Sequence, residues 1–213
     1  MKIEYLGHSC FRIRTNDGVI IVTDPYTGVG YSLPTDLRAD VVTVSHGHFD
    51  HNYTNALQGT YVLISETGTY TTNGITVTGI VSDHDPLGGT LRGKNIIYKI
   101  TADGVTVCHL GDLGEACNQD LLANIGKVDI LLVPVGGNYT IDASQAKEYV
   151  ERICPKIAIP MHYRPQDGTI DITDATAFLS LYDKVRALGN APFIVGNEIK
   201  ETKDTQILYM ERK

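Results

Sequence analysis

The sequence predicts an α+β fold of four layers, an αββα sandwich in which two β-sheets pack face to face and helices cover both outer faces. Three observations carry this expectation. Twice along the chain a run of short strand-like segments gives way to helical periodicity. The strands are apolar and β-branched, and several end in loops marked by glycine or proline that hold histidine or aspartate. No internal sequence repeat of about 20 to 50 residues accompanies the duplication, so it is architectural only.

The first meander comprises strands over residues 2–6 and 10–15, joined at Gly7-His8-Ser9, and a third over 19–23 reached through the turn Asn16-Asp17-Gly18. It stops at Asp24-Pro25, because proline cannot continue the ladder. Residues 26–39, with Gly28, Gly30 and Pro34, form a loop over the sheet. Val41-Val42-Thr43-Val44 is a buried strand, 52–57 a short helix at most, and strands follow at 61–64 and 74–81. A turn-rich stretch, 85–89, leads to a hairpin of 94–101 and 105–110 about Asp103-Gly104. The second half then alternates. Asn118 caps a helix ending at Gly126, a strand covers 128–135, and Asp142 with Gln145 opens a helix in capping-box fashion. A strand over 156–160 follows. Thr173 begins a helix whose Phe178, Leu181, Tyr182, Val185 and Leu188 share one face until Gly189, and strands near 192–195 and 206–210 close the chain.

The stretch that concentrates chemistry is His46-Gly47-His48-Phe49-Asp50-His51, where the central strand stops. Crowded imidazolium ions repel one another, whereas neutral imidazoles are the commonest metal ligands. In an extended turn His46 and His48 project to one side, with Asp50 and His51 beside that pair, so two adjacent metal positions are expected.

Composition narrows the function further. With 213 residues, 42% hydrophobic and 20% charged, the chain fits one domain, residues 1–213, with a sizeable core. No apolar run approaches the ~20 residues of a membrane span, and Met1 leads straight into a strand pattern, so a cytoplasmic location is expected. Cys10, Cys108, Cys117 and Cys154 form no CxxC pair, so neither a disulfide framework nor a thiolate zinc knuckle is indicated; three read as small core residues, with Cys117 left open. A net charge of −7 without a basic cluster argues against a nucleic-acid partner and for a small-molecule substrate. The oligomeric state is left open.

The motif His46-x-His48-x-Asp50-His51 resembles the HxHxDH signature of the metallo-β-lactamase superfamily. Asp24, His84, Asp112 in His109-Leu110-Gly111-Asp112, and His162 fall in the order of that superfamily's remaining motifs, so the resemblance runs from about residue 2 to 163. Leu6-Gly7-His8-Ser9-Cys10-Phe11 and the His-Leu-Gly-Asp segment look most like a small single-domain branch of zinc-dependent hydrolases related to L-ascorbate-6-phosphate lactonase. The resemblance implies the same αββα sandwich. It also implies one metal site of His46, His48 and His84, a second of Asp50, His51 and His162, and Asp112 bridging them. Asp24 would hold the histidine loop rather than serve as a principal ligand.

Such a donor set exceeds a closed four-ligand structural zinc site. Nitrogen and carboxylate donors suit zinc, manganese or iron, and two zinc ions are the expectation. A pair of ions about 3.5 to 4 Å apart makes a bridging hydroxide available near neutral pH, with Asp50 orienting the water or accepting its proton. The leading expectation is hydrolysis of a small ester or lactone, with or without a phosphate. A phosphodiesterase, an iron-loaded redox enzyme and a metal-stabilised binding module follow in that order. His8 either lines the cleft or is bonded within its turn. Arg164 either anchors an anionic substrate or makes a surface salt bridge. His109 is read as a supporting or core residue rather than a ligand.

Overall fold

The computed structural model describes residues 1–196, 199 and 204–213. Strands β1 (Lys2–Gly7), β2 (Cys10–Arg14) and β3 (Ile20–Thr23) form the expected antiparallel meander, and β4 (Val41–Thr43) and β5 (Val62–Ile64) continue the sheet in parallel. A second sheet begins with the antiparallel run β6 (Gly68–Thr72), β7 (Ile75–Asp83), β8 (Lys94–Ala102) and β9 (Val105–His109). It continues in parallel through β10 (Ile130–Pro134) and β11 (Ile157–Met161). The edge strand β12 (Val185–Gly189) joins it through β14 (Gln206–Met210), while β13 (Phe193–Ile194) returns to pair with β1.

Alternation along the first sheet explains the layering. Tyr5, Phe11, Ile13, Ile21 and Val41 point into the core shared with the second sheet, whereas Leu6, Cys10, Val22 and Val42 point outward into a smaller core. That smaller core is covered by Tyr26, Val29, Leu33 and Leu37 of the loop 26–39 and by Leu57. The two-sheet sandwich is therefore the expected one, but among the described residues its outer layer on this side is an apolar loop rather than a helix. Helices α1 (Gln119–Ile125), α2 (Ala143–Ile153) and α3 (Thr176–Leu179) lie beside the second sheet, with Leu121, Ile125, Ala146, Tyr149 and Phe178 in the main core. Both expected N-caps are made: Asn118 accepts from Leu121 N, and Asp142 forms a capping box with Gln145.

Three local expectations are corrected. The helix expected from Thr173 to Gly189 shrinks to α3, because Leu181 and Val185 of its supposed apolar face are exposed and residues 185–189 instead pair with β14. The helix expected over 52–57 is a single 3-10 turn at Thr54–Ala56, so no helix end points at the histidine loop. Strand β6, whose threonines alternate with little apolar content, was not expected as a strand at all. Of the cysteines, all are free; Cys10 and Cys108 are buried, Cys117 packs partly against the core, and Cys154 is exposed as the left-handed cap of α2 rather than a core residue.

The arrangement places the carboxyl ends of β3, β4, β7, β9, β10 and β11 at one edge of the sandwich. Each candidate site residue except His8 lies just beyond one of these ends. Tyr98 Oη donates to Val44 O at 3.0 Å and Ile96 N to Ser45 O at 2.9 Å, which couples the second sheet directly to the start of the histidine loop.

At the opposite end of the sequence order, Glu4 gathers Arg12 at 2.7 Å and Lys213 at 2.8 Å, tying the last residue to the first meander. Burial pushes this carboxyl up, but Arg12, Lys213 and Lys2 outweigh burial and lower it from 4.5 to about 2. A depressed carboxylate stabilises the fold above its unfolded value and loses that contribution as pH falls toward its folded one. Urea denaturation should therefore show stability falling between pH 4.5 and 2 more steeply in the wild type than in Glu4→Gln; parallel curves would remove Glu4 from this role.

Candidate metal centre

Asp24 is fully buried at the end of β3 in a left-handed conformation, φ +38°. Its Oδ1 accepts from Ser45 N at 2.8 Å, and its Oδ2 accepts from Ser45 Oγ at 2.5 Å and from His51 Nδ1 at 2.8 Å. One carboxylate thus holds both ends of the histidine loop. It also sets orientation, since the N–H that His51 Nδ1 donates to Asp24 turns Nε2 toward Asp112. Ser45 Oγ, having donated to Asp24, accepts from His46 Nδ1 at 3.0 Å, so His46 presents a bare Nε2.

The other side chains arrive from strand ends. Gly111 turns the chain after β9, and a Cβ there would lie 2.3 Å from Asn95 Oδ1, the atom that accepts from Asp112 N at 2.9 Å. Gly114 passes against the carbonyl of His84, and Gly136 against that of His162, where Cβ atoms would come within 2.4 and 2.2 Å. His162 N donates to His8 O at 2.8 Å, and Tyr5 Oη and Tyr31 Oη bracket the same His8 backbone, so the Gly7-His8-Ser9 turn is locked beside β11.

The side chains converge in three overlapping groups: His46, His48 and His84; His8, Asp50, His51 and His162; and His46, His51 and Asp112. Asp112 lies between the first two, with Oδ1 3.1 Å from His51 Nε2 and Oδ2 3.3 Å from His162 Nε2 and 3.4 Å from His84 Nε2. His8, expected either at the cleft or within its turn, is buried beside the cluster, with its Nε2 3.2 Å from Asp50 Oδ2. Buried nitrogens and oxygens without a hydrogen-bond partner concentrate here, namely His51 Nε2, both nitrogens of His84 and of His162, and Asp112 Oδ1. His84 and His162 turn imidazole nitrogens without a hydrogen-bond partner toward one Asp112 oxygen, an arrangement that a cation between them satisfies, so this donor set fits divalent metal ions.

Residues 2–162 match the beta-lactamase superfamily domain. The chain belongs to the metallo-β-lactamase superfamily. Within it, the chain is 33% identical to a UPF0173 metal-dependent hydrolase of Carboxydothermus hydrogenoformans over 90% of this chain and 95% of the relative. A crystal structure from Thermotoga maritima, described as a Zn-dependent hydrolase of this superfamily, superposes with a TM-score of 0.81 at 36% identity, covering 99% of this chain and 98% of the other. A metallo hydrolase of Ignicoccus hospitalis shares the fold at a TM-score of 0.66 and 21% identity, over 99% and 95% of the two chains.

Two further residues resolve differently. His109 Nε2 donates to Ser9 O at 2.7 Å and its Nδ1 accepts from Gly111 N at 3.1 Å, so both nitrogens are committed to backbone. This is the supporting position expected of it. Arg164 is exposed and faces depressions beside α3 and Asn138. The cavity above the cluster, about 510 Å³, is lined by His48, Asp50, His84 and Asp112 on its floor and by Arg92 at its rim; Arg164 does not reach it. Of the two roles open to Arg164, its place outside this cavity leaves the surface one as the better fit. Asn95, Tyr139 and Arg92 were missed because no local motif marks them; they are assembled by contacts distant in sequence.

Burial makes a charge on His51 costly, but Asp112 and Asp24 outweigh it and raise its affinity for a proton well above the usual histidine range. Burial and neighbouring imidazoles lower His8 to about 4 and His46 to about 3. The metal-free cluster thus keeps its proton on His51. At about pH 7.5 that proton must leave Nε2 before the nitrogen can coordinate, so metal binding should release about one proton per chain, as read by calorimetry in buffers of different ionisation enthalpy. No proton release would remove His51 from the ligand set. His109→Ala, by contrast, should retain metal near the wild-type content while activity falls about 10- to 100-fold; loss of one metal equivalent with the fold intact would make His109 a ligand.

Proposed function

We propose that this chain is a binuclear metal-dependent hydrolase acting on a small ester or lactone, with zinc as its metal. The observation that supports this reading best is the division of the buried donors into two groups with Asp112 between them. His46, His48 and His84 would hold one ion, Asp50, His51 and His162 the other, with Asp112 shared. When bound, the two ions supply Lewis acidity toward the attacked carbonyl and lower the pKa of a shared water toward ~7, making hydroxide available. A site with more donors than a closed tetrahedral centre uses suits catalysis better than structural support.

The chain's own groups do the rest. In the metal-free site Asp50 is already a carboxylate: burial raises it, but the hydrogen bond from His8 and the charge on His51 more than offset this. It is 14% exposed and opens on the cavity, so it can accept a proton from the attacking water and return it to the leaving alkoxide. His8, neutral near pH 7, donates Nε2–H to Asp50 and fixes its orientation without competing for the proton. Asp24 keeps His51 turned toward Asp112.

Two variants and one substrate array test this reading. His48→Ala and Asp112→Ala should lose bound metal and hydrolysis while circular dichroism stays that of the wild type. Among lactones, thioesters and aryl phosphodiesters offered to the zinc-loaded protein, lactones and esters should turn over fastest. Preferential turnover of phosphodiesters would replace the substrate class, and full activity in both variants would remove the metal assignment.

A further inference from the structure

Above the donor cluster, the cavity walls are built as deliberately as its floor. Phe49 is 55% exposed, yet its ring lies where a Cβ on Gly28 would come within 2.9 Å, so that glycine's bare backbone is what seats the ring. Ile170 and Asp171 belong to a loop locked against residues 28–30. Thr169 N donates to Val29 O at 3.0 Å, and a Cβ on Gly30 would come 2.3 Å from Asp167 O. Asn138 Nδ2 donates to Asp171 O at 2.7 Å, which fixes the neighbouring Tyr139 to the same wall.

Arg92 faces these walls from the opposite loop. Asp85, fully buried and next to His84, accepts from the backbone N–H groups of Leu87, Gly89, Leu91 and Arg92 at 2.9 to 3.1 Å. These four bonds wrap residues 87–92 around one carboxylate and pin the Arg92 backbone at the rim. Its guanidinium lies 5.4 Å from the centre of the Tyr139 ring. Among the described residues no carboxylate pairs with this guanidinium within 4.0 Å, and no other arginine and no lysine lines the cavity. A preorganised guanidinium with its donors left over, above a hydrolytic floor and between apolar walls, is a recognition element.

We infer that Arg92 binds a carboxylate on the substrate, which is a small amphipathic acid with its apolar body against Phe49, Ile170 and Tyr139; this rests on the hydrolytic reading of the floor. A planar carboxylate matches the forked donors of a guanidinium whose central carbon lies over an aromatic ring. A phosphate dianion fits less well, because a single cation faces it and Asp171 shares the rim. Asp85 and Tyr139 are positioning residues that hold the guanidinium in place.

Binding separates this inference from turnover. Three aryl hydroxamates, alike except for a distal carboxylate, carboxamide or phosphate, are titrated calorimetrically into the zinc-loaded full chain. The hydroxamate group occupies the metals in each case. The wild type should bind the carboxylate probe about 10-fold or more tightly than the carboxamide, as one charged hydrogen bond allows. Arg92→Ala should abolish that preference, Arg92→Lys should retain part of it, and Arg164→Ala should leave it intact. Equal affinities in the wild type, or a preference that survives Arg92→Ala, would overturn the assignment, and tighter binding of the phosphate probe would overturn the carboxylate. Failure of the hydrolytic reading looks different: the preference is present and no ester is turned over.

Discussion

The carboxylate of Asp24 is the interaction on which the site depends. Fully buried, it is stable as an anion because His109 lies nearby, Ser45 supplies two donors and His51 a third. Those bonds close the loop between β4 and the rest of the motif. They also propagate chemistry, since each fixed proton determines which nitrogen faces inward. Asp24 therefore acts on the floor of the cavity without reaching it, by orienting His51 toward Asp112 and, through Ser45, His46 toward His48. Removing the metal leaves an electrostatic problem that protons solve only in part. His51 takes one, while burial, with the neighbouring imidazoles, keeps His8 and His46 neutral.

Three of the seven non-glycine residues with positive φ among the described residues lie at the same edge. Asp24, His8 and His162 are non-glycine residues with φ of +38°, +53° and +50°, a region that costs L-residues roughly 1 to 3 kcal/mol each. All three belong to the candidate site, and each is over-determined by bonds from distant segments: Asp24 N to Thr43 O, His162 N to His8 O, and His8 N to Tyr31 Oη. The sheets absorb the cost. Their buried strands anchor the turns at both sides, so the side chains can leave the strand ends at angles that an unstrained turn would not give.

The floor of the site was readable from the sequence, and its rim was not, for a physical reason. His46, His48, Asp50 and His51 are neighbours in the chain, and Asp24, His84, Asp112 and His162 each follow an apolar strand that a pattern of period two reveals. Arg92 lies in a turn-rich stretch with no periodicity, and its position depends on Asp85 behind it and on Tyr139 some way along the chain. Arg164, adjacent in sequence to the site residue His162, was the natural choice on proximity alone. The left-handed turn at His162 sends the following residues away, and Arg164 N pairs with Thr173 O on the outer side. The C-terminal expectation failed similarly: Phe178 is buried in the short α3 and its ring meets Tyr182, but the partnership of β12 with β14 overrides propensity beyond them.

Floor and rim therefore answer to different constraints. Asp24, His84, Asp112 and His162 sit at strand ends whose register is fixed by the two sheets, and Asp24 ties the histidine loop to them through Ser45 and His51. The rim residues sit on loops held by single carboxylates, carbonyl contacts and glycine approaches, such as Asp85 beneath Arg92 and Gly28 beneath Phe49. A substitution in the rim can change the shape and charge offered to a substrate while Asp24, His51 and Asp112 keep their geometry. Chemistry and selectivity are thus separable in this chain because they are built on elements of different stiffness. The same separation explains why motif residues alone predict a reaction class and leave the substrate to the loops.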